Sequence, residues 1–246
     1  MSDAAPGTAW QQPGLVNEFL QRRQRILPML DVQEALIARA FERHPHRVGR
    51  FIDIGSGDGA MSELLLRVCP ESEAVLVDYS QPMLAGAERR LQRTGGSWQI
   101  VQGDLRDPSW QAGLPAGPFG AAISAMAIHH LSSERKRELF AEVHDLLEPG
   151  GMFVNMDFVL IGPPLRGLFD EQMVDAALAL EHEHGSGRSR KEIDRALLAD
   201  DSDDQPDSAE DQLRWLRDAG FADVELHFKW AEAAVFGAVK PEKGTD

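Results

Sequence analysis

The sequence has little of what several classes of protein require. Its 246 residues include a single cysteine, Cys69, so no internal disulfide can form and a reducing, cytoplasmic location is expected. No stretch approaches the roughly 18 consecutive apolar residues of a membrane helix, so no membrane association is expected. Residues 1–10 also lack the basic and apolar regions of a secretory signal.

Positive charge is scarce as well. The 25 Lys and Arg residues stand against 40 Asp and Glu residues, which gives a formal net charge of −15. Nucleic acids and anionic membranes are bound through clustered basic residues, so both are disfavoured as partners. Nearly half of the excess negative charge falls in residues 200–211. We expect this acidic segment to be a solvated surface loop.

What the sequence does contain is an alternation of strand and helix patterns. Short apolar runs predict five strands, at residues 50–54, 74–78, 98–102, 119–127 and 152–158. Amphipathic stretches between them predict helices, and two last strands, 221–228 and 231–239, predict an antiparallel hairpin. The pattern predicts an α/β fold with a seven-stranded, mostly parallel sheet and helices on both of its faces.

The same pattern divides the chain into four segments. Residues 1–48 are predicted to form an N-terminal helical cap, with one of its helices at residues 15–27, and residues 49–160 a cofactor-binding core. Residues 161–212 are predicted to be a helical lid insert that contains the acidic segment. Residues 213–240 are predicted to supply the last helix and the hairpin of the same core.

The clearest local motif is Asp53-Ile54-Gly55-Ser56-Gly57-Asp58-Gly59-Ala60, which follows a predicted strand and opens a predicted helix. Glycine permits a tight turn and a close approach of ligand to backbone. The free N–H groups at the start of the helix attract an anion. The loop suits the carboxylate of an amino acid, but Gly55-x-Gly57-x-x-Ala60 also satisfies the dinucleotide fingerprint. Taken alone, the loop leaves both ligands open.

Three acidic residues bear on this choice. Asp53, directly before the loop, would repel a pyrophosphate but can pair with an ammonium group. Asp78 lies 21 residues after Gly57, where an acid can bind ribose hydroxyls. Asp104, at the end of the third strand, can accept a hydrogen bond from an adenine amino group. A ligand with an amine, a ribose and an adenine fits these residues better than one with two phosphates.

Five motifs in this order resemble the class I S-adenosylmethionine-dependent methyltransferases, in their type 11/12/25-like groups. They are the glycine loop, Val77-Asp78-Tyr79-Ser80-x-x-Met83-Leu84, Gln102-Gly103-Asp104-Leu105, Ala125-Met126-Ala127-Ile128-His129-His130-Leu131 and Leu147-Glu148-Pro149-Gly150-Gly151. The resemblance runs from about residue 51 to residue 157 and, more loosely, through the final hairpin. It implies a Rossmann-like core and S-adenosylmethionine as the cofactor.

This resemblance implies that the ends of four strands each bind a different part of the cofactor. The glycine loop would cradle the methionine part, the second strand would hold the ribose, the third would meet the adenine, and the fourth would form the floor near the sulfonium. The implied binding residues are Asp53, Gly55, Ser56, Gly57, Gly59, Asp78, Tyr79, Met83, Gly103, Asp104, Leu105, Ser124, Ala125 and Met126. From the cap, Arg25 is a further candidate, for the methionine carboxylate.

Candidate catalytic residues follow the fourth and fifth strands, because ligands bind outside the carboxyl ends of the strands in open α/β sheets. His129 and His130 end the fourth strand, and either can take a proton from a substrate or simply pack against the next helix. Asn155 and Asp157 alternate on the fifth strand, which puts both on one face. This polar pair, with Asp157 as a catalytic candidate, either contacts a substrate or makes a structural hydrogen bond.

No metal site is predicted. His182 and His184 lie two residues apart on a predicted helix, so their side chains point about 200° apart and cannot bind one ion together. The leading hypothesis is a methyltransferase that acts by in-line displacement on a small-molecule acceptor, with a homodimer left open. The alternatives are a tRNA-modification-related enzyme of the carboxy-S-adenosylmethionine synthase type, a non-catalytic cofactor-binding protein and a nicotinamide oxidoreductase.

Overall fold

The computed structural model describes residues 8–14, 16, 29–183, 185, 187–197 and 204–242. Apart from Val16, the predicted cap helix at residues 15–27 lies outside the described residues, and so do Arg25 and His184. Within the described part of the chain, no helix has the length and apolar character needed to cross a membrane.

Seven strands form one sheet, in the order β3-β2-β1-β4-β5-β7-β6. The strands are β1 (Arg50–Ile54), β2 (Glu73–Asp78), β3 (Ser97–Gln102), β4 (Phe119–Ala125), β5 (Leu147–Phe158), β6 (Ala222–Trp230) and β7 (Ala233–Val239). The first five run parallel, and β7 pairs antiparallel with both β5 and β6. The predicted fold class is therefore confirmed, including the C-terminal hairpin.

Helices connect the strands and cover both faces of the sheet. They are α1 (Leu30–Arg43), α2 (Ala60–Val68), α3 (Gln81–Leu91), α4 (Ser133–Leu146), α5 (Pro163–Glu183), α6 (Arg190–Leu197) and α7 (Ala209–Asp218). Short 3₁₀ turns occur at Thr8–Gln11, Pro108–Gly113 and Ile128–His130. Between β5 and β6, the described residues form α5, α6 and α7 with loops between them, and no strand occurs among them.

Each face of the sheet has its own apolar core. Side chains alternate along a strand, so Ile52 and Ile54 of β1 pack on one face and Phe51 on the other. Helices α4 and α7 cover the first face with Phe140 and Trp215, while α1, α2 and α3 cover the second. Because the central strands are buried on both sides, most of their residues are apolar and they stand out as short apolar runs in the sequence. This explains why their positions could be predicted so closely.

The carboxyl ends of the parallel strands meet at one edge of the sheet. The order reverses between β1 and β4, which are neighbours with Ile54 paired to Ser124. At such a switch point the loops after the two strands diverge and leave a crevice. The glycine loop after β1 and the histidines after β4 are thereby brought to the two sides of that crevice.

The end of the acidic segment is fastened to the core, in contrast to the solvated loop that was expected. Lys136 of α4 has no exposed surface, and its Nζ donates to Asp207 Oδ2 at 2.6 Å and also to the Gln205 carbonyl. Ser133 Oγ donates to the other carboxylate oxygen of Asp207 at 2.7 Å. The density of acidic residues alone predicts a solvated segment. The buried Lys136, about seventy residues earlier in the sequence, instead holds Asp207 against α4.

This buried pair gives a test of the fold. Replacing Lys136 with Met should lower the free energy of unfolding by about 3 kcal/mol, because the Asp207 carboxylate loses its counter-charge while staying largely buried. Urea denaturation would measure the loss. The double variant Lys136→Met/Asp207→Leu should recover most of it, since no charge is then left unpaired. Equal losses in the single and the double variant would contradict this account.

Candidate functional site

The glycine loop joins β1 to α2 and rests on the end of β2. The backbone N–H groups of Gly55 and Ser56 both donate to the Val77 carbonyl, at 2.8 and 3.0 Å. Gly55, Gly57 and Gly59 have φ angles of 69°, 54° and 73°, in the left-handed region that L side chains rarely adopt. The three glycines are therefore required by the shape of the loop.

Asp78, at the end of β2, fixes the middle of this loop. Its Oδ2 accepts from the Gly57 N–H at 2.8 Å, and its Oδ1 accepts from the Ser80 N–H at 2.8 Å. Ser80 in turn caps α3 by accepting from the Met83 N–H at 3.3 Å. Burial raises the pKa of the Asp78 carboxyl, and these backbone hydrogen bonds offset only part of the shift. One carboxylate thus joins the glycine loop to the start of α3.

A second tie to the loop comes from Arg90 of α3, which sequence reasoning missed. Arg90 Nε donates to the Asp58 carbonyl at 3.0 Å, and its guanidinium also pairs with the Asp58 carboxylate. A further hydrogen bond of 2.8 Å goes to Glu63. On the other side of the loop, Asp53 is buried and accepts from Ser62 Oγ at 2.6 Å. No local pattern marks Arg90, because its partners lie about thirty residues earlier.

The residues expected around adenine lie at the ends of β2 and β3. Arg106 lies over the Tyr79 ring, 5.0 Å from its centroid, and its Nη2 donates to Asp104 Oδ2 at 2.7 Å. Partial burial alone would raise the pKa of Asp104, but the hydrogen bonds from Arg106 lower it below its usual value. Gly103 and the buried Leu105 flank this carboxylate. Arg106 therefore bridges two of the predicted adenine contacts.

The predicted floor residues end β4. Ser124 is fully buried, and its Oγ donates to the Ile54 carbonyl at 2.8 Å, across to β1. Ala125 is half-buried and leads to Met126, whose φ of 56° is uncommon for a residue other than glycine. The Met126 N–H donates to the Met156 carbonyl of β5 at 2.8 Å. Backbone strain of this kind is often concentrated at functional sites.

A pocket opens beside Met126. Its walls come from α1, α5 and the ends of β5 and β7, and include Gln33, Asp157, Phe158 and Met173. The described part of the cap and the insert therefore meet over the ends of the strands. None of the described residues that line this pocket is a lysine or an arginine.

His129 and Asp157 form a buried pair at the border of this pocket. The Asp157 carboxylate pairs with Nδ1 of the His129 ring, and its other oxygen accepts from the His129 backbone N–H at 3.0 Å. On the far side of the ring, Nε2 lies 3.5 Å from Asp204 Oδ1. Burial lowers the pKa of His129, but the charge and hydrogen bond of Asp157, with Asp204, outweigh it and raise the pKa. His130 is more exposed, with Nδ1 2.9 Å from the same Asp204 oxygen.

Asn155 shares the face of β5 that carries Asp157, as the alternation predicts. Its side chain has no exposed surface, and neither amide atom has a hydrogen-bond partner among the described residues. The two residues therefore differ in their contacts. Asp157 makes structural hydrogen bonds with His129, whereas the Asn155 side chain makes none with the described residues.

The first described residues of the chain contact the loop after β2. The Trp10 carbonyl accepts from Ser80 Oγ, and Gln11 Nε2 donates to the Tyr79 carbonyl at 3.0 Å. The Trp10 ring lies 6.1 Å from the His130 ring, measured between centroids. This segment spans the crevice between the ends of β2 and β4.

The residues present fit the amino-acid part of S-adenosylmethionine. Ser56 Oγ, within the glycine loop, is buried and has no hydrogen-bond partner among the residues that the structure describes. A Cβ built on Gly57 would meet only Met83 Sδ within 4 Å, at 3.9 Å, so the centre of the loop is open. A buried hydroxyl without a partner beside an open backbone cradle is what a polar ligand would complete.

Comparisons with known proteins agree with this geometry. Residues 51–151 match the family model "Methyltransferase domain". The demethylmenaquinone methyltransferase of Thermus thermophilus is 30% identical over 131 residues, which are 53% of this chain and 54% of that protein. The carboxy-S-adenosyl-L-methionine synthase of Wolinella succinogenes is 25% identical over 205 residues, 80% of this chain and 79% of that protein.

Solved structures show the same fold. An O-methyltransferase family protein from Burkholderia thailandensis superposes with a TM-score of 0.66 at 16% identity, covering 94% of this chain and 60% of that chain. The present chain thus spans little more than half of the Thermus and Burkholderia proteins. Residues 51–151 therefore match a methyltransferase domain, and the strand order and the glycine loop agree with that match.

The crowding around Gly55 gives a test of the loop. Gly55→Ala should destabilise the protein by about 2–4 kcal/mol, because the added Cβ lies 2.3 Å from Ala127 Cβ and φ is 69°. Gly95→Ala is the matched control, since its φ is 70° but nothing lies within 4 Å. It should cost about 1 kcal/mol. Ala127→Gly should rescue Gly55→Ala in part, and equal losses for both alanine variants in chemical denaturation would contradict the predicted contact.

Proposed function

We propose that this protein transfers the sulfonium methyl group of S-adenosylmethionine to a small-molecule acceptor. The main support for the proposal is that the glycine loop and a pocket lie at the same edge of the sheet. There, Asp78 holds the glycine loop in place, and the strained Met126 forms part of an adjacent pocket. A cofactor cradle and an acceptor pocket on the two sides of one crevice are what a direct transfer requires.

We assign the parts of the cofactor to residues at the strand ends. The glycine loop, with the Ser56 hydroxyl, would hold the amino-acid part, and the Asp78 carboxylate would bind the ribose. Tyr79 and Asp104 would contact the adenine, which would share Asp104 with Arg106 or displace that guanidinium. When bound, the cofactor supplies an electrophilic methyl group on a positively charged sulfur.

The chain's own contribution would be orientation and the exclusion of water. Met126 would form the floor of the transfer site, while α1 and α5 cover the pocket from the cap and the insert. Of the predicted catalytic residues, His129 is held by carboxylates on both sides of its ring, which fix the ring in one orientation. Asp157 would position His129, because its two oxygens fix both the backbone and the ring of that residue.

A carboxy-S-adenosylmethionine synthase is the second candidate, and the extent of the matches favours it. Synthases of this kind align over 80% to 94% of the chain, compared with 53% for the Thermus methyltransferase. A carboxylate on the transferred group would call for a cationic partner near the methyl position. The described lining of the pocket has no lysine or arginine and includes Asp157, which favours the unmodified methyl group.

Cofactor binding depends on Asp78 in this proposal. Asp78→Ala should weaken S-adenosylmethionine binding at least tenfold, or about 1.4 kcal/mol, because it removes the ribose contact and releases Gly57. Isothermal titration calorimetry would measure the affinity. Asp145→Ala, at an exposed position of α4, is the control and should bind as the wild type does. Unchanged affinity in a folded Asp78→Ala protein would rule out the proposed site.

The two candidate functions differ in the compound that they bind. Mass spectrometry of the ligand that copurifies with the protein should find S-adenosylmethionine or its demethylated product, because the pocket offers no described cation for a carboxylate. The carboxylated cofactor would instead establish the synthase as the function of this chain. Denaturing the protein before extraction ensures that tightly held ligand is counted.

A further inference from the structure

We propose that His129, His130 and Asp204 form a binding site for a divalent transition-metal ion such as Zn²⁺. The two histidines follow β4, and Asp204 lies more than seventy residues further along, in the insert. The sequence predicts no metal site because it keeps these residues apart. The fold brings one ligand atom of each within 4.8 Å of the other two.

The distances suit a single ion. Asp204 Oδ1 lies 2.9 Å from His130 Nδ1 and 3.5 Å from His129 Nε2. Ligand atoms bound to one zinc ion at 2.0–2.2 Å are about 3.3–3.6 Å apart in tetrahedral geometry. Both distances to Asp204 lie within about half an ångström of this range, and the two histidine nitrogens lie within 4.8 Å of each other.

Asp157 supplies the outer partner that metal-binding histidines usually have. It pairs with Nδ1 of His129, which leaves Nε2 as the nitrogen that faces Asp204. Outer carboxylates of this kind fix the orientation of the ring and make the ligating nitrogen more basic. The His129 backbone N–H also donates to Asp157, so the residue is held at two points. This arrangement does not depend on the ion and is present without it.

The ligand types decide which ions fit. Two imidazoles and one carboxylate suit Zn²⁺, Fe²⁺, Co²⁺ or Ni²⁺, whereas Mg²⁺ and Ca²⁺ prefer sites made only of oxygen. Three protein ligands leave at least one position of the ion open for water or a small molecule. Asp157 borders both this site and the pocket beside Met126. A methyl acceptor with an oxygen atom could bind the ion at the open position. This role rests on the proposed methyl transfer, whereas metal binding does not depend on that proposal.

The site would also tie the insert to the core. His129 and His130 belong to the core, and the Gln205 N–H next to Asp204 donates to the His129 carbonyl at 2.7 Å. The buried Lys136 holds Asp207 a few residues later. Asp204 is therefore presented to the histidines by a fixed backbone.

Zinc titration of the tag-free, metal-stripped full chain tests the proposal. Competition with a chromogenic chelator should show one Zn²⁺ per chain, and Co²⁺ should give visible absorption bands of a bound, low-symmetry ion. His130→Ala and Asp204→Asn should each lower zinc affinity at least tenfold, and Asp157→Asn should lower it about tenfold to a hundredfold. Neither readout requires methyl transfer, so failure here leaves the proposed function standing.

Two variants control for binding at surface histidines. His182→Ala removes an exposed ring of α5, and His46→Ala removes a ring that pairs with Glu242 at 2.9 Å. Both should keep the wild-type affinity and stoichiometry. The proposal is overturned if the wild type binds no zinc, or if binding survives His130→Ala and Asp204→Asn. Asp204→Asn keeps the test decisive if His130→Ala does not fold, because the Asp204 side chain is more than a third exposed.

Discussion

The carboxylate of Asp78 accepts backbone hydrogen bonds from Gly57 and Ser80, and the shape of the proposed cofactor site depends on this arrangement. The first bond holds the glycine loop, and the second holds the start of α3. Because β1 is paired with β4 at Ile54 and Ser124, fixing the loop after β1 also fixes its distance from the floor at Met126. A carboxylate that is already ordered by two N–H groups can present its remaining lone pairs to a ligand in one orientation.

The predictable part of this structure is the part governed by local rules. The central strands are apolar on both faces, so their positions follow from short apolar runs. The three left-handed glycines follow from the need for a tight turn between β1 and α2. The closeness of Asp78 and Asp104 could be predicted because the ends of neighbouring parallel strands meet at one edge, while their contacts with a cofactor stay a prediction.

The rest depends on contacts between distant residues, which no local pattern encodes. Arg90 neutralises Asp58 within the loop, and Arg106 bridges Asp104 and Tyr79, yet both are ordinary surface arginines by sequence. The acidic segment is a solvated loop by composition. The buried Lys136 nevertheless draws its end onto α4, because an isolated charge there would be costly.

The same anchoring brings the described end of the insert to the histidines that follow β4. Asp204 reaches His129 and His130 only because the residues after it are fixed to the core. The N-terminal segment also contacts this edge of the sheet, because the Trp10 carbonyl accepts from Ser80 Oγ and the Trp10 ring lies near the His130 ring. Cap, insert and strand ends therefore surround one crevice, a geometry suited to holding two small molecules away from water.

Hydrogen–deuterium exchange with and without S-adenosylhomocysteine, the demethylated product of the cofactor, would test the central claim most directly. Slower exchange on ligand addition is expected in residues 55–60, 78–84, 103–106 and 124–130, at the four strand ends around the crevice. Little change is expected in β6, at the opposite edge of the sheet. Protection confined to other regions, with no change in the glycine loop at a saturating ligand concentration, would contradict the account.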